Sequence, residues 1–294
     1  ATNLALFGQF DHKLALATRV STGFRIERRS SDYSDTAGLE AGPSETMWGG
    51  EVGISHDFRN HSAYATLSKG YKAGGFNLGI VPDGNRDFGS EELWTIEAGI
   101  KSMLLEHRLL VNSAIFHYRR LDQQVRTSIQ LIPGDPASFV FFTDNVGTGE
   151  ALGIEVDARW YPSGEWELYA SLGLIDATLE NGRGQAHAPP FTLAAGVSYQ
   201  DPKGYFVRLD ASAKDAFYFD VSHDQKSQSY QLFNVRIGRE TETWLAAFWV
   251  RNLFDELYAV RGFYFGNEPP DFPDKLYTRS GDPRQLGVTI ERRF

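Results

Sequence analysis

The sequence predicts an all-β protein, an antiparallel up-and-down transmembrane β-barrel with about thirteen strands in this chain. Three observations predict it. Apolar and polar residues alternate with the two-residue period of a strand that has one greasy and one wet face. Short polar turns alternate in order with long connections. Aromatic residues collect at the ends of the alternating segments, as they do where a barrel wall crosses the two membrane interfaces.

The expected strands run over 4–10, 14–27, 46–58, 62–75, 91–103, 108–126, 140–160, 165–178, 190–200, 204–218, 228–239, 244–257 and 284–294. In the second, Leu14, Leu16, Thr18, Val20, Thr22, Phe24 and Ile26 share one parity. In the seventh, Ile154, Val156, Ala158 and Trp160 oppose Glu155, Asp157 and Arg159. The eighth sets Trp166, Leu168, Ala170, Leu172 and Leu174 against Glu167, Tyr169, Ser171 and Gly173. The ninth sets Phe191, Leu193, Ala195, Val197 and Tyr199 against Thr192, Ala194, Gly196 and Ser198. Short turns are expected at 11–13, 59–61, 106–108, 162–165, 201–204 and 241–243, and long connections at 30–45, 77–90, 130–139, 180–189, 220–227 and 259–283. Trp160, Tyr161, Trp166, Tyr199, Tyr205, Phe206 and Trp244 lie beside short turns, with Phe217, Tyr218 and Phe219 at the opposite end. In the last strand Leu286, Val288 and Ile290 alternate toward Phe294, with Arg292 interrupting the apolar parity.

No stretch keeps a helical i, i+3, i+4, i+7 pattern for three turns, and no window approaches the ~18 apolar residues of a transmembrane helix. Residues 1–10 lack the basic start and cleavage site of a signal peptide. A soluble β-sandwich with its aromatics in the core is the competing fold; the Gly, Ser, Glu and Arg on the polar parity weigh against it. A total of 29 Lys and Arg against 38 Asp and Glu leaves no cationic surplus to gather around phosphates, which argues against a nucleic-acid partner. The absence of cysteine removes disulfides, thiolate catalysis and Cys-based metal sites. No nucleophile elbow, P-loop, zinc-protease motif or dinucleotide fingerprint occurs, so the chain is read as a non-enzyme with no cofactor. The seven histidines have no partner at metal-ligand spacing.

Three stretches carry a resemblance. Ser68-Lys-Gly-Tyr-Lys-Ala-Gly-Gly-Phe-Asn77 closes an alternating strand and enters a long loop. Val250-Arg-Asn-Leu-Phe-Asp-Glu-Leu-Tyr258 lies in the penultimate strand, and the last strand ends on Phe294. In order and spacing they resemble the C-terminal barrel of TonB-dependent outer-membrane receptors of the siderophore-receptor type. The resemblance implies a 22-strand barrel filled by an N-terminal plug, which imports a ferric siderophore or similar scarce nutrient with energy from the TonB complex. Residues 1–294 then form the C-terminal portion of that barrel, from about the tenth strand onward, without the plug. Its setting is the lipid of the bacterial outer membrane, and the chain by itself is expected not to transport. A passive porin-like channel is the alternative, distinguished by eyelet charges on an inward-folded loop. A hydrolase on the outer surface of the barrel is a third reading, and no Ser, His and acid cluster supports it.

Ligand contacts are expected from the long-loop end. The loop 259–283 offers Arg261, Phe263, Tyr264, Phe265 and Asn267, a guanidinium among aromatic faces that suits a planar anionic chelate. Lys72 and Arg86 add positive charge. The plainer alternatives stay open: Lys69 and Lys72 as rim charges, Tyr71 as a girdle aromatic, Gly74 and Gly75 as a bend, Arg251 and Asn252 as wall residues facing a wet lumen.

Overall fold

The computed structural model describes residues 1–294 apart from Ala37, Gly134, Ser222, Asn267 and Asp274. Thirteen long strands build one antiparallel sheet in which each strand bonds its neighbours along the chain. They are β1 (Thr2–Ala15), β2 (Thr18–Ser30), β3 (Ser44–Phe58), β4 (His61–Lys72), β5 (Glu91–Leu104), β6 (Leu109–Leu121) and β7 (Gly149–Trp160). After them come β8 (Trp166–Leu179), β9 (Phe191–Gln200), β10 (Tyr205–Lys214), β11 (Tyr230–Glu240), β12 (Trp244–Arg251) and β13 (Gln285–Arg292). Strands of up to 15 residues exceed the usual ~5–6 of soluble sheets and match a tilted crossing with extensions. No α-helix occurs among the described residues.

Register carries the alternation from strand to strand. Val156 pairs with Leu172, which pairs with Leu193, while Glu155 pairs with Gly173, which pairs with Thr192. One face of the sheet is therefore continuously apolar and the other polar. The apolar face is uncovered: Ile154 is 43% exposed and Val288 67%. The remaining sheets among the described residues are two-stranded, so no second layer of a sandwich packs there. An apolar face of this extent stays in place only against lipid.

The polar face is bound together by side chains that reach the next strand, the next but one, or a neighbour on the same strand. Tyr64 donates to Glu97 at 2.6 Å and Tyr169 to Asp210 at 2.6 Å, and Arg208 Nε reaches both Asp210 oxygens at 3.0 Å. Aromatic rings lie over the glycine directly across the strand boundary, among them Tyr64 over Gly99, Phe116 over Gly153, Tyr169 over Gly196, Phe206 over Gly238 and Trp249 over Gly287. A Cβ on any of these glycines would occupy the space of the ring.

The structure moves several expected boundaries. The first turn is not at 11–13 but at Leu16 and Ala17, with His12 paired to Val20 inside the β1–β2 ladder. Alternation ran on through a turn that carries no Gly, Pro or Asn to mark it. The segments 108–126 and 140–160 are each shorter in the wall. Between them Gln124–Gln130 pairs with Phe139–Asn145 as a separate hairpin. The strand expected over 244–257 stops at Arg251, because Asn252 turns with φ 48°. Asn252 is buried rather than facing a wet lumen. Its amide donates to the Glu256 carbonyl at 2.9 Å and the Asp282 carbonyl at 3.1 Å, and its Oδ1 accepts from Glu256 N at 2.8 Å. It latches both ends of the 252–284 connection.

Candidate ligand-binding site at the long-loop end

All six long connections leave the sheet at the same end, the one that faces the medium in barrels of this kind. Several of them are tied to one another by hydrogen bonds between loops. Asn77, buried, donates from Nδ2 to the carbonyls of Asn85 and Thr143, both at 2.8 Å, and accepts from Thr143 N at 2.8 Å. Asn145 accepts from Gly89 N at 2.7 Å and donates to the Asp122 carbonyl at 2.7 Å. The loops 73–90 and 122–148 are thus one packed unit. Arg86 lies within it, donating to the carbonyls of Asn77 at 2.8 Å and Gly79 at 3.0 Å. Its guanidinium braces this loop. Lys72 is exposed on the rim of a cleft of about 430 Å³ that Arg29, Glu45, Phe76, Phe88 and Gln124 also line.

A second unit joins loops 180–190 and 215–229 to the hairpin of Ala259–Phe265 and Lys275–Ser280. Phe217 and Phe219 are buried at its centre. Gly262 lies against the Phe219 ring, where a side chain would not fit, so the hairpin settles directly on the loop. Arg183 and Lys226 stand 4.5 and 4.3 Å from the Tyr218 ring centroid, a cation–π arrangement that orders both loops. Tyr264 stacks on His223 with rings 9° from parallel, and its hydroxyl meets Gln225. His223 Nδ1 is 2.8 Å from Asp220.

The strand geometry divides the expected contact residues. Gly262 and Tyr264 face loop 215–229. Arg261 and Phe263 take the other parity, where register sets Arg261 across from Arg279 and Phe263 across from Tyr277. Arg261 and Arg279 are exposed, Phe263 is 49% exposed, and the Phe263 and Tyr277 rings stack at 6.0 Å. Of the residues expected in the loop this face carries Arg261 and Phe263, while Tyr264 is turned to the other side; beside them stand Arg279 and Tyr277, which the sequence reading did not name. Their signal was the symmetry of 261 and 279 about a proline-rich tip, visible only once the segment is read as a hairpin. The Phe265 side chain and Asn267 lie outside the described residues. Lys72 and Arg86 belong to the other loop unit.

His187 sits where loop 180–190 meets this hairpin, its ring 5.4 Å from Phe217. Burial first, then the nearby Arg261 and Lys214 charges, hold its imidazole below the ordinary value of 6.5. The unfolded chain takes up a proton near 6.5 that the folded loop resists. Its contribution to stability is therefore complete above pH 6.5 and declines as pH falls below it. Proton NMR of the His187 ring should show a titration midpoint below 6.5 that rises in Arg261→Gln. An unchanged midpoint would place Arg261 away from this site. Among the described residues no cluster of His, Asp or Glu could hold a metal ion.

With this geometry in view, known proteins supply the context. Over 227 residues the chain is 24% identical to the pesticin receptor of Yersinia pestis, a match covering 73% of this chain and 32% of the receptor. Its fold superposes on the ferric yersiniabactin uptake receptor FyuA of Yersinia pestis with TM-score 0.79 and 19% identity, covering 98% of this chain and 45% of that one. The copper transporter OprC superposes with TM-score 0.78 and 16% identity, over 99% of this chain and 47% of the transporter. The chain spans about a third of the length of the curated relative and about half of the structural ones. A family model described as TonB dependent receptor-like, beta-barrel, matches residues 1–253. The chain belongs to the TonB-dependent receptor β-barrel family of the bacterial outer membrane.

Proposed function

We propose that this chain forms wall and receptor loops of an outer-membrane receptor for energy-coupled uptake of a ferric siderophore or similar scarce nutrient. Residues 1–294 supply the C-terminal part of the barrel, and the plug and the contact with the TonB complex belong to a region N-terminal to it. The observation that carries the ligand class is the hairpin face on which Arg261, Phe263 and Arg279 are exposed beside the half-buried Tyr277. Two cations beside flat rings suit an anionic chelate with aromatic or otherwise planar donor groups. Tyr264 contributes by seating the hairpin on His223. Lys72, on the neighbouring loop unit, adds long-range attraction, and Arg86 adds charge while holding its loop. Catalysis has no part in this reading.

The test is equilibrium binding of a panel of ferric siderophores to the full-length receptor carrying Arg261→Ala or Tyr264→Ala, with surface expression matched. For Arg261→Ala the loss of a charge partner desolvated on binding is worth about 1.5–3 kcal/mol, so affinity for the cognate chelate should fall roughly ten- to hundredfold, and Tyr264→Ala should weaken it by unseating the hairpin. Parent-like binding of every chelate by both variants would make this loop a bystander.

A further inference from the structure

The apolar face carries a groove. Ala158 pairs with Ala170, Ala170 with Ala195, and Ala195 with Ala211, so four alanines stand in one row across β7, β8, β9 and β10. The rows on either side are larger. Trp160, Leu168, Val197, Leu209 and Val235 flank it on one side, and Val156, Leu172 and Leu193 on the other, that second row ending on Ala213 at β10. The alanine row and the Trp160 row, with Phe233, Leu253 and Phe254, line a cleft of about 830 Å³. Flanking rows four residues apart stand about 13 Å from Cα to Cα, which leaves a trough about one methylene chain wide once their side chains are in place. Its length across four strands is about 15 Å, the reach of an extended acyl chain of roughly a dozen carbons.

The groove has a direction. At β7 it begins two residues before the short-turn end, at Ala158, with Trp160 beside it. At β11 it ends on Phe233, three residues from the long-loop end, where Phe233 meets Phe254 edge-on at 5.3 Å. It therefore climbs through the membrane toward the outside. Beyond these two rings, and sharing both of them, lies a polar pocket of about 390 Å³ lined by Lys214, Asp215, Ser229, Gln231 and Glu256. An apolar trough that opens at its outer end into a hydrogen-bonding pocket is the negative of an amphiphile.

We propose that this groove is a binding site for one lipid of the outer leaflet, with an acyl chain along the alanine row and its polar head in the pocket beside Gln231, Ser229 and Asp215. A second copy of the protein is a poorer occupant, because a flat partner wall would leave a recessed row unfilled. The site is separate from the chelate-binding face, which lies on the loops. A bound lipid here would stiffen β7 to β10 and tie the base of loop 215–229 to the membrane surface.

The experiment uses protein extracted from outer membranes in mild detergent and a single-chain phosphatidylethanolamine with a dibrominated acyl chain, whose bromines quench nearby tryptophan. The Trp160 signal is taken as the difference between the parent and Trp160→Phe. We expect quenching that saturates at one lipid per protein and a dissociation constant at least tenfold weaker in Ala170→Leu and in Ala195→Leu, which fill the trough while keeping it apolar. Both variants should keep parent-like heat resistance on gels, which reports folding. Quenching that rises without saturation, or that is unchanged by both leucines in folded protein, would overturn the proposal. So would a saturable signal accompanied by a doubled molecular mass, since the groove would then join two copies.

Discussion

Replacing Leu193 by arginine is expected to destabilise the folded protein by about 2–4 kcal/mol, the cost of an Arg at the bilayer midplane on the lipid side of a barrel. Leu193 lies on the apolar face between Leu172 and Ala213. The neighbouring Thr192 lies on the polar face between Gly173 and Lys214, and Thr192→Arg should cost far less. Reversible unfolding by urea in lipid vesicles measures both. A reversed order, with Thr192→Arg the more damaging, would mean that the two faces have been exchanged and that the apolar rows are interior.

Gly204→Ala should be nearly as damaging for a backbone reason. Gly204 closes the turn from β9 to β10 with φ at 83°, a conformation costing about 1–3 kcal/mol for a residue with a side chain. The turn leaves no room to relax. Gly204 N donates to the Asp201 carbonyl at 2.9 Å, Glu240 N donates to the Gly204 carbonyl at 2.8 Å, and a Cβ would run into the Glu240 carbonyl. The loss is expected to exceed the conformational cost alone. Gly164 in the preceding short turn has open space where a Cβ would stand, so Gly164→Ala should stay within about 0.5 kcal/mol of the parent. Equal unfolding midpoints for the two variants would remove the argument from the Glu240 contact.

Much of the wall was legible because one side of every strand must satisfy lipid, which writes a period of two into the sequence. Leu168, Leu172, Leu193 and Val197 share a face as expected, and the thirteen strands keep chain order. Alternation says less about where a strand leaves the membrane. Leu14 and Leu16 continued the pattern across a turn, and Gln124–Gln130 continued it from β6 into a loop hairpin. The loops were legible in composition and hidden in arrangement. The segment 259–283 read as one long connection, yet Arg261–Phe265 and Lys275–Arg279 pair as a hairpin, with a bulge between Ala259 and Arg261 and Pro269, Pro270 and Pro273 at its tip. The stacking of Tyr264 on His223 and the bonds of Asn77 to Thr143 join residues from different connections, and no local pattern encodes such pairs.

The rings laid over glycines on the polar face overlap like roof tiles. Tyr64, Phe116, Tyr169 and Trp249 each cross a seam between two strands and rest where the neighbour has no side chain. Sliding one strand past the next by a residue would drive a tile into a Cβ and carry the strand's apolar set to the wrong face. Stagger between strands, with their number, fixes the width of a barrel. Flat side chains spread across the sheet therefore act as gauge pins, holding the stagger of its strands to one value.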